Sequence, residues 1–143
     1  MFQINMQPPL TKTIYSYFDI QRLESLDHKR KRATEEFLKR IKKIKLPHFV
    51  LLFGSTAKEN YTETSDIDLI IIYEDYDQKM GQQIEAAARN TFAETGLVIN
   101  FILMKLEEFL KEKNNKENHA LQDALQTGYP VIGNSFFYEV MTD

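Results

Sequence analysis

Asp66 and Asp68 stand one residue apart at the head of the apolar run Leu69-Ile70-Ile71-Ile72, and a Gly54-Ser55 pair precedes them by ten intervening residues. In an extended strand, side chains at i and i+2 share a face, so the two carboxylates point the same way, roughly 6–7 Å apart at the backbone. Two like charges held together each raise the other's proton affinity unless a cation lies between them. A hard divalent ion with oxygen ligands, Mg²⁺ or Mn²⁺, suits such a pair, because it keeps some of its waters and bridges to phosphate oxygens. The plainer reading is that Ser65, Asp66 and Asp68 cap a turn and face water where a strand begins.

Gly54 closes an apolar run where the chain must turn, and glycine tolerates such a turn and lets another group approach closely. Ser55 is then placed to cap a short helix, with a hydroxyl and free N–H groups directed at an anion. A Gly-Ser turn alone is common and carries little weight. Combined with the acidic pair, it suggests a phosphate grip beside a metal site.

The whole stretch "GSTAKENYTETSDID", running into "LIIIYE", resembles the signature of the DNA polymerase β-like nucleotidyltransferase superfamily. "LLFGSTAK" and "SDIDLIII" are similar to its minimal nucleotidyltransferases, some of which are antitoxins encoded beside a HEPN ribonuclease toxin. The resemblance covers residues 48–104, and "ALQTGYPVIGNSFFYEV" resembles the end of such domains more loosely; residues 1–30 have no counterpart. It implies a mixed β-sheet packed against helices, ATP or another nucleoside triphosphate as donor, and Mg²⁺ or Mn²⁺ as cofactor. Carried over, Gly54 and Ser55 would hold the β- and γ-phosphates with Lys58 and Ser65 beside them. Asp66 and Asp68 would be the metal ligands and catalytic residues. The implied reaction moves a nucleoside monophosphate, AMP first among them, onto a hydroxyl acceptor, with a HEPN-type toxin as one candidate.

The superfamily usually takes a third carboxylate from a later strand. Here that strand is "LVINFILM", and alternation puts Asn100 on the matching face between Val98 and Ile102. An amide can offer a carbonyl oxygen or a hydrogen bond, but it has no charge and cannot act as a base. Three readings stay open. Asn100 with water and substrate completes the coordination; the chain binds nucleotide with little or no turnover and acts by protein contact; or Glu74, Asp75 or Asp77 supplies the missing charge. The last three follow the strand and read more simply as a solvated loop.

The elements that must position these residues follow from periodicity. Residues 1–24 read as an N-terminal extension, a loose arm over 1–12 and then a strand over 13–20. A basic helix spans 25–46, a motif-bearing core 48–104, and C-terminal helices 106–141; together 25–143 form the nucleotidyltransferase domain. Within it, "HFVLLF", "IDLIIIYE" and "LVINFILM" read as buried strands, 78–94 as a helix ended by Gly96, and "YPVIG" as a short strand before a closing helix. Strands alternating with helices give an α/β, or α+β, layer structure.

With 143 residues, 43% apolar and 27% charged, the chain fits one globular domain, and no run reaches the ~20 apolar residues of a membrane helix. Zero cysteines exclude a disulfide framework and thiolate metal sites, and with no signal-peptide pattern the cytoplasm is the expected compartment. Nine of the eighteen basic residues fall between Lys29 and Lys45, so a net charge of −3 hides a basic element on an acidic body. That helix could grip nucleic acid, although no aromatic is interleaved for base stacking and a solvated face is the simpler account. His28, His48 and His119 lack metal-ligand spacing. Tyr61, in the loop between the motif halves, is placed to touch a base, and Phe136, Phe137 and Tyr138 suit a core or a homodimer contact.

Overall fold

A computed structural model describes residues 10–142, with side chains from Thr13 onward. The elements run α1 (Leu10–Glu24), α2 (His28–Ile44), β1 (Phe49–Phe53), α3 (Gly54–Lys58), β2 (Ile67–Tyr73), α4 (Gln78–Thr95), β3 (Ile99–Lys105), α5 (Leu106–Glu112), α6 (His119–Thr127), β4 (Tyr129–Ile132) and α7 (Asn134–Met141).

Four strands form one mixed sheet in the order β3-β2-β1-β4. β1 is antiparallel to both neighbours, whereas β2 and β3 are parallel and joined through α4, the long crossover that a parallel pair requires. Alternation divides the strand side chains between two cores. Val50, Leu52, Leu69, Ile71 and Tyr73 face α2 and α4, meeting Ala33, Phe37, Ile41, Ile84 and Ala87. Phe49, Leu51, Ile70, Ile72 and Met104 face the other way, against Phe109, Leu121, Ala124 and Phe137 of α5, α6 and α7. Burial on both faces explains why β1 and β2 are nearly continuous apolar runs.

Helix boundaries have local causes. Asp27 caps α2 by accepting from the Arg30 N–H at 2.8 Å, and Asp77 caps α4 by accepting from the Met80 N–H at 2.9 Å. Gly96 closes α4 in the left-handed conformation, φ 77°, as a C-terminal glycine does.

Three expectations change. The strand expected over 13–20 is helix, because the side that α1 turns inward carries Tyr15, Asp19, Arg22 and Leu23, while Ile14, Tyr17, Phe18 and Ile20 stay exposed. The apparent alternation therefore came from residues that do not pack. The first nine residues of the expected arm lie outside the described residues, and the last three belong to α1. Finally, β3 is an edge strand rather than a fully buried one, with Asn100 and Ile102 open to solvent on one face.

Candidate active site

The acidic pair and the glycine meet because of strand register. Phe53 pairs with Asp68 across β1 and β2, and Asp68 pairs with Asn100 across β2 and β3. Gly54 follows Phe53 directly. One row across three strands thus gathers residues 53, 68 and 100, with Asp66 two residues before Asp68 on the same side.

Gly54 has φ 71°, a conformation that L side chains avoid. A Cβ there would overlap the Asp68 carboxylate oxygen and lie 3.2 Å from its Cγ, so the site requires glycine for space as well as for backbone shape. Ser55 is half-buried inside α3 and does not cap it; the capping position is Phe53, which has no side chain able to do so. The Ser55 carbonyl instead accepts from the Asn60 N–H at 3.1 Å, closing the turn that follows. The buried Thr56 hydroxyl reaches the Asp66 carbonyl at 3.4 Å, tying α3 to the start of β2.

The Asn100 amide nitrogen donates to Asp66 Oδ2 at 2.8 Å and lies 3.4 Å from Asp68 Oδ1. One donor reaching both oxygens means that the carboxylates converge on a common space. Burial raises the Asp68 carboxyl above the ordinary aspartate range; the Asn100 hydrogen bond opposes this, and the charges of Asp66 and Asp123 add to it.

This donor set fits a hard divalent ion. Two convergent carboxylates carry uncompensated charge, and rotation of the Asn100 amide would present its carbonyl oxygen. Among the described residues no third His, Cys, Asp or Glu joins them in a metal-holding group. An ion held here would draw its remaining ligands from water and substrate.

The other expected site residues divide. Lys58 ends α3 and pairs with Asp123 of α6 at 3.0 Å, which sets it beside a carboxylate that acts on Asp68. Ser65 is turned into its own loop, where its hydroxyl accepts from the Thr62 N–H at 2.9 Å and lies 3.1 Å from the Thr62 hydroxyl. Tyr61 lies under the Arg30 guanidinium, 4.4 Å from ring centroid to Cζ, and its hydroxyl accepts from the Asp27 N–H, so one ring face and the hydroxyl are engaged within the chain. Asp75 pairs with Lys105, Asp77 is a helix cap, and Glu74 faces His48 at 3.9 Å. All three follow the far end of β2, about 23 Å along a seven-residue strand from Asp66.

Asp123 is the residue that the sequence reading missed. Its only sequence-level signal was an acidic residue in a helix, and its relation to Asp68 exists only once α6 packs beside α3 and β1. The basic helix is also less open than it looked. Arg30 is 1% exposed, Lys31 pairs with Glu24 at 2.6 Å, and Arg32 and Arg40 both reach Glu94 on α4.

Comparison with known proteins adds a family. The model of the family described as "Nucleotidyltransferase domain" matches residues 32–126. No curated protein matches the chain. A crystal structure of a Sulfolobus solfataricus protein named "putative nucleotidyltransferase" is similar at 17% identity and a TM-score of 0.42, covering 66% of this chain and 76% of that one.

Proposed function

The chain belongs to the nucleotidyltransferase domain family, and from that premise we propose that it is a divalent-metal-dependent enzyme that transfers AMP from ATP to a hydroxyl acceptor. The observation that carries this reading is the convergence of Asp66 and Asp68 beside a glycine that has no room for a side chain. Family members generally use nucleoside triphosphates and divalent metals, and Asp66 and Asp68 are the residues here that would hold Mg²⁺ or Mn²⁺.

When bound, such an ion neutralises phosphate charge and lowers the pKa of the attacking hydroxyl. The chain's own part is positional. Gly54 and Ser55, at the mouth beside Asp68, take the β- and γ-phosphates, and Lys58 can leave Asp123 for the triphosphate, exchanging one charged contact for another. Asp66 and Asp68, with the ion they would hold, would position the triphosphate so that the acceptor hydroxyl bonds to the α-phosphorus as the bond to the β-phosphate breaks, pyrophosphate leaving and the hydroxyl proton passing to solvent. Because Asn100 and Ile102 on the open face of β3, and Val98 just before it, are exposed next to the site, the acceptor approaches from that side.

A partner protein fits this arrangement, since Val98, Asn100 and Ile102 are exposed beside the site. A HEPN-type toxin is the acceptor to try first. Incubation with α-labelled ATP, Mg²⁺ and the product of a neighbouring toxin gene should label that product; no label with any nucleoside triphosphate and any such acceptor sinks the enzymatic reading.

The neutrality of Asn100 favours one second reading, a nucleotide-binding antitoxin that works by contact. Toxin neutralisation that survives Asp66→Asn with Asp68→Asn selects it.

A further inference from the structure

The corner between α1 and α2 precedes the family match, which begins at residue 32, yet it holds both halves of the motif from behind. Arg22, on α1, sends one guanidinium nitrogen to the Thr127 carbonyl at 2.8 Å and towards the Ala57 carbonyl at 3.4 Å. Ala57 is in the last turn of α3, which carries the Gly-Ser pair, and Thr127 ends α6, which carries Asp123. The same guanidinium lies over the Tyr129 ring at 4.1 Å, which fixes its plane. Helices α3 and α6 are therefore joined by Arg22 and again by the Lys58–Asp123 pair.

Arg30 does the equivalent for the loop that delivers the carboxylates. It donates to the Thr62 carbonyl at 2.6 Å, approaches the Glu63 carbonyl at 3.4 Å, and covers the Tyr61 ring. Ser25 and Asp27 add contacts from the same corner, to Glu59 and to the Tyr61 hydroxyl. Arg30 is 1% exposed, and its nearest carboxylate, that of Asp27, is 4.0 Å away. A buried charge held by two carbonyls, with its one carboxylate at the outer edge of ion-pair range, is a costly way to fill space, and an apolar residue would serve stability as well. Fixing the path of residues 61–63 explains its presence better.

We propose that Arg22 and Arg30 are positioning residues for nucleotide binding, Arg22 setting the phosphate grip at Gly54-Ser55 and Arg30 setting the loop that presents Asp66 and Asp68. This rests on the nucleotidyltransferase reading above. Lysine cannot replace either side chain, because each guanidinium also lies flat over a tyrosine ring, which fixes the nitrogen that bonds the carbonyls, and a compact ammonium does not stack in this way.

The test titrates the full chain with ATP and with AMP, with and without Mg²⁺, in wild type, Arg22→Lys and Arg30→Lys. Tyr73→Phe serves as a control; it removes the hydroxyl's bond to the Lys45 carbonyl at 2.9 Å, at the end of β2 away from the motif. Arg22→Lys is expected to weaken ATP binding about tenfold while leaving AMP binding nearly unchanged, since small misplacements at a grip cost this much or more. Arg30→Lys is expected to reduce the gain in ATP affinity that Mg²⁺ brings. Tyr73→Phe is expected to lower thermal stability without altering either ratio. Arginine variants that keep wild-type ratios, or a control that shifts them equally, overturn the proposal while the functional reading stands. A wild-type chain that binds no nucleotide overturns both. Should Arg30→Lys fail to fold, the half-buried Arg22 carries the test alone.

Discussion

Asn100 reaches from β3 to place one amide nitrogen 2.8 Å from Asp66 Oδ2 and 3.4 Å from Asp68 Oδ1, so a neutral side chain joins the two carboxylates that define the site. Asn100→Asp would replace that donor with a third negative charge. Without metal the variant should melt lower than wild type, by several degrees if the added repulsion costs about 1–2 kcal/mol. Saturating Mn²⁺ should reverse the order. Melting curves with a chelator and with Mn²⁺ check this, and equal metal responses in the two proteins would contradict it.

Gly54 combines a left-handed φ with the absence of room for a Cβ against Asp68. Gly54→Ala should therefore cost about 1–3 kcal/mol, for backbone strain together with displacement of the carboxylate. Nucleotide binding should fall further than stability does. Urea denaturation and an ATP titration on the same preparation separate the two losses; a variant with wild-type affinity would show that this glycine is only a turn.

Asp68 also makes a prediction about pH. Its carboxyl is raised above the ordinary 3.8 by burial and by neighbouring charges. The folded chain therefore holds that proton more tightly than the unfolded chain does, and metal-free stability falls as pH rises from 3.8 through the folded value. Asp68→Asn removes this loss. With chelator present, the variant should equal or exceed wild type in melting temperature near neutrality, and the advantage should vanish below about pH 4. A wild type that is more stable at neutral pH would contradict the assignment of repulsion to this site.

Lys58 and Asp123 form a half-exposed pair of the kind worth about 0–1 kcal/mol. Lys58→Met should accordingly change the melting temperature little but weaken ATP binding, both by removing a cation for phosphate and by leaving Asp123 unopposed near Asp68. Asp123→Asn should not weaken it, since Lys58 is then free to turn to the triphosphate. Titrations of the two variants decide; matching losses would mean that the pair is only a helix-to-helix contact.

Much of the fold could be read from the sequence because its signals were redundant. β1 and β2 are apolar runs bounded by Pro47, Gly54 and a polar loop, and α4 has both an Asp77 cap and a Gly96 stop. α1 was misread for the opposite reason. Its inward face holds Asp19, hydrogen-bonded by Asn134 and Tyr138 of α7, and Arg22, bonded to carbonyls, so polar residues pack while apolar ones face out. Hydrophobic periodicity cannot see such a face. Within the candidate site, Asp66 and Asp68 were visible because their relation is two residues long. Asp123 was not, because it meets the site only through the packing of α6. Ser65 shows the converse: it stands next to the acidic pair in sequence, but its hydroxyl is turned to Thr62.

The central claim is that residues 54–55 and 66–68 are two halves of one nucleotide and metal site. Its most direct test is a thermal shift with ATP, with and without Mg²⁺, in wild type and in Asp66→Asn with Asp68→Asn. Ligand at about a hundred times its Kd adds about 2.7 kcal/mol, enough to raise the melting point by several degrees. Wild type should show that rise only with Mg²⁺, and the double variant should show none. An equal rise without Mg²⁺, or in the double variant, would contradict the claim.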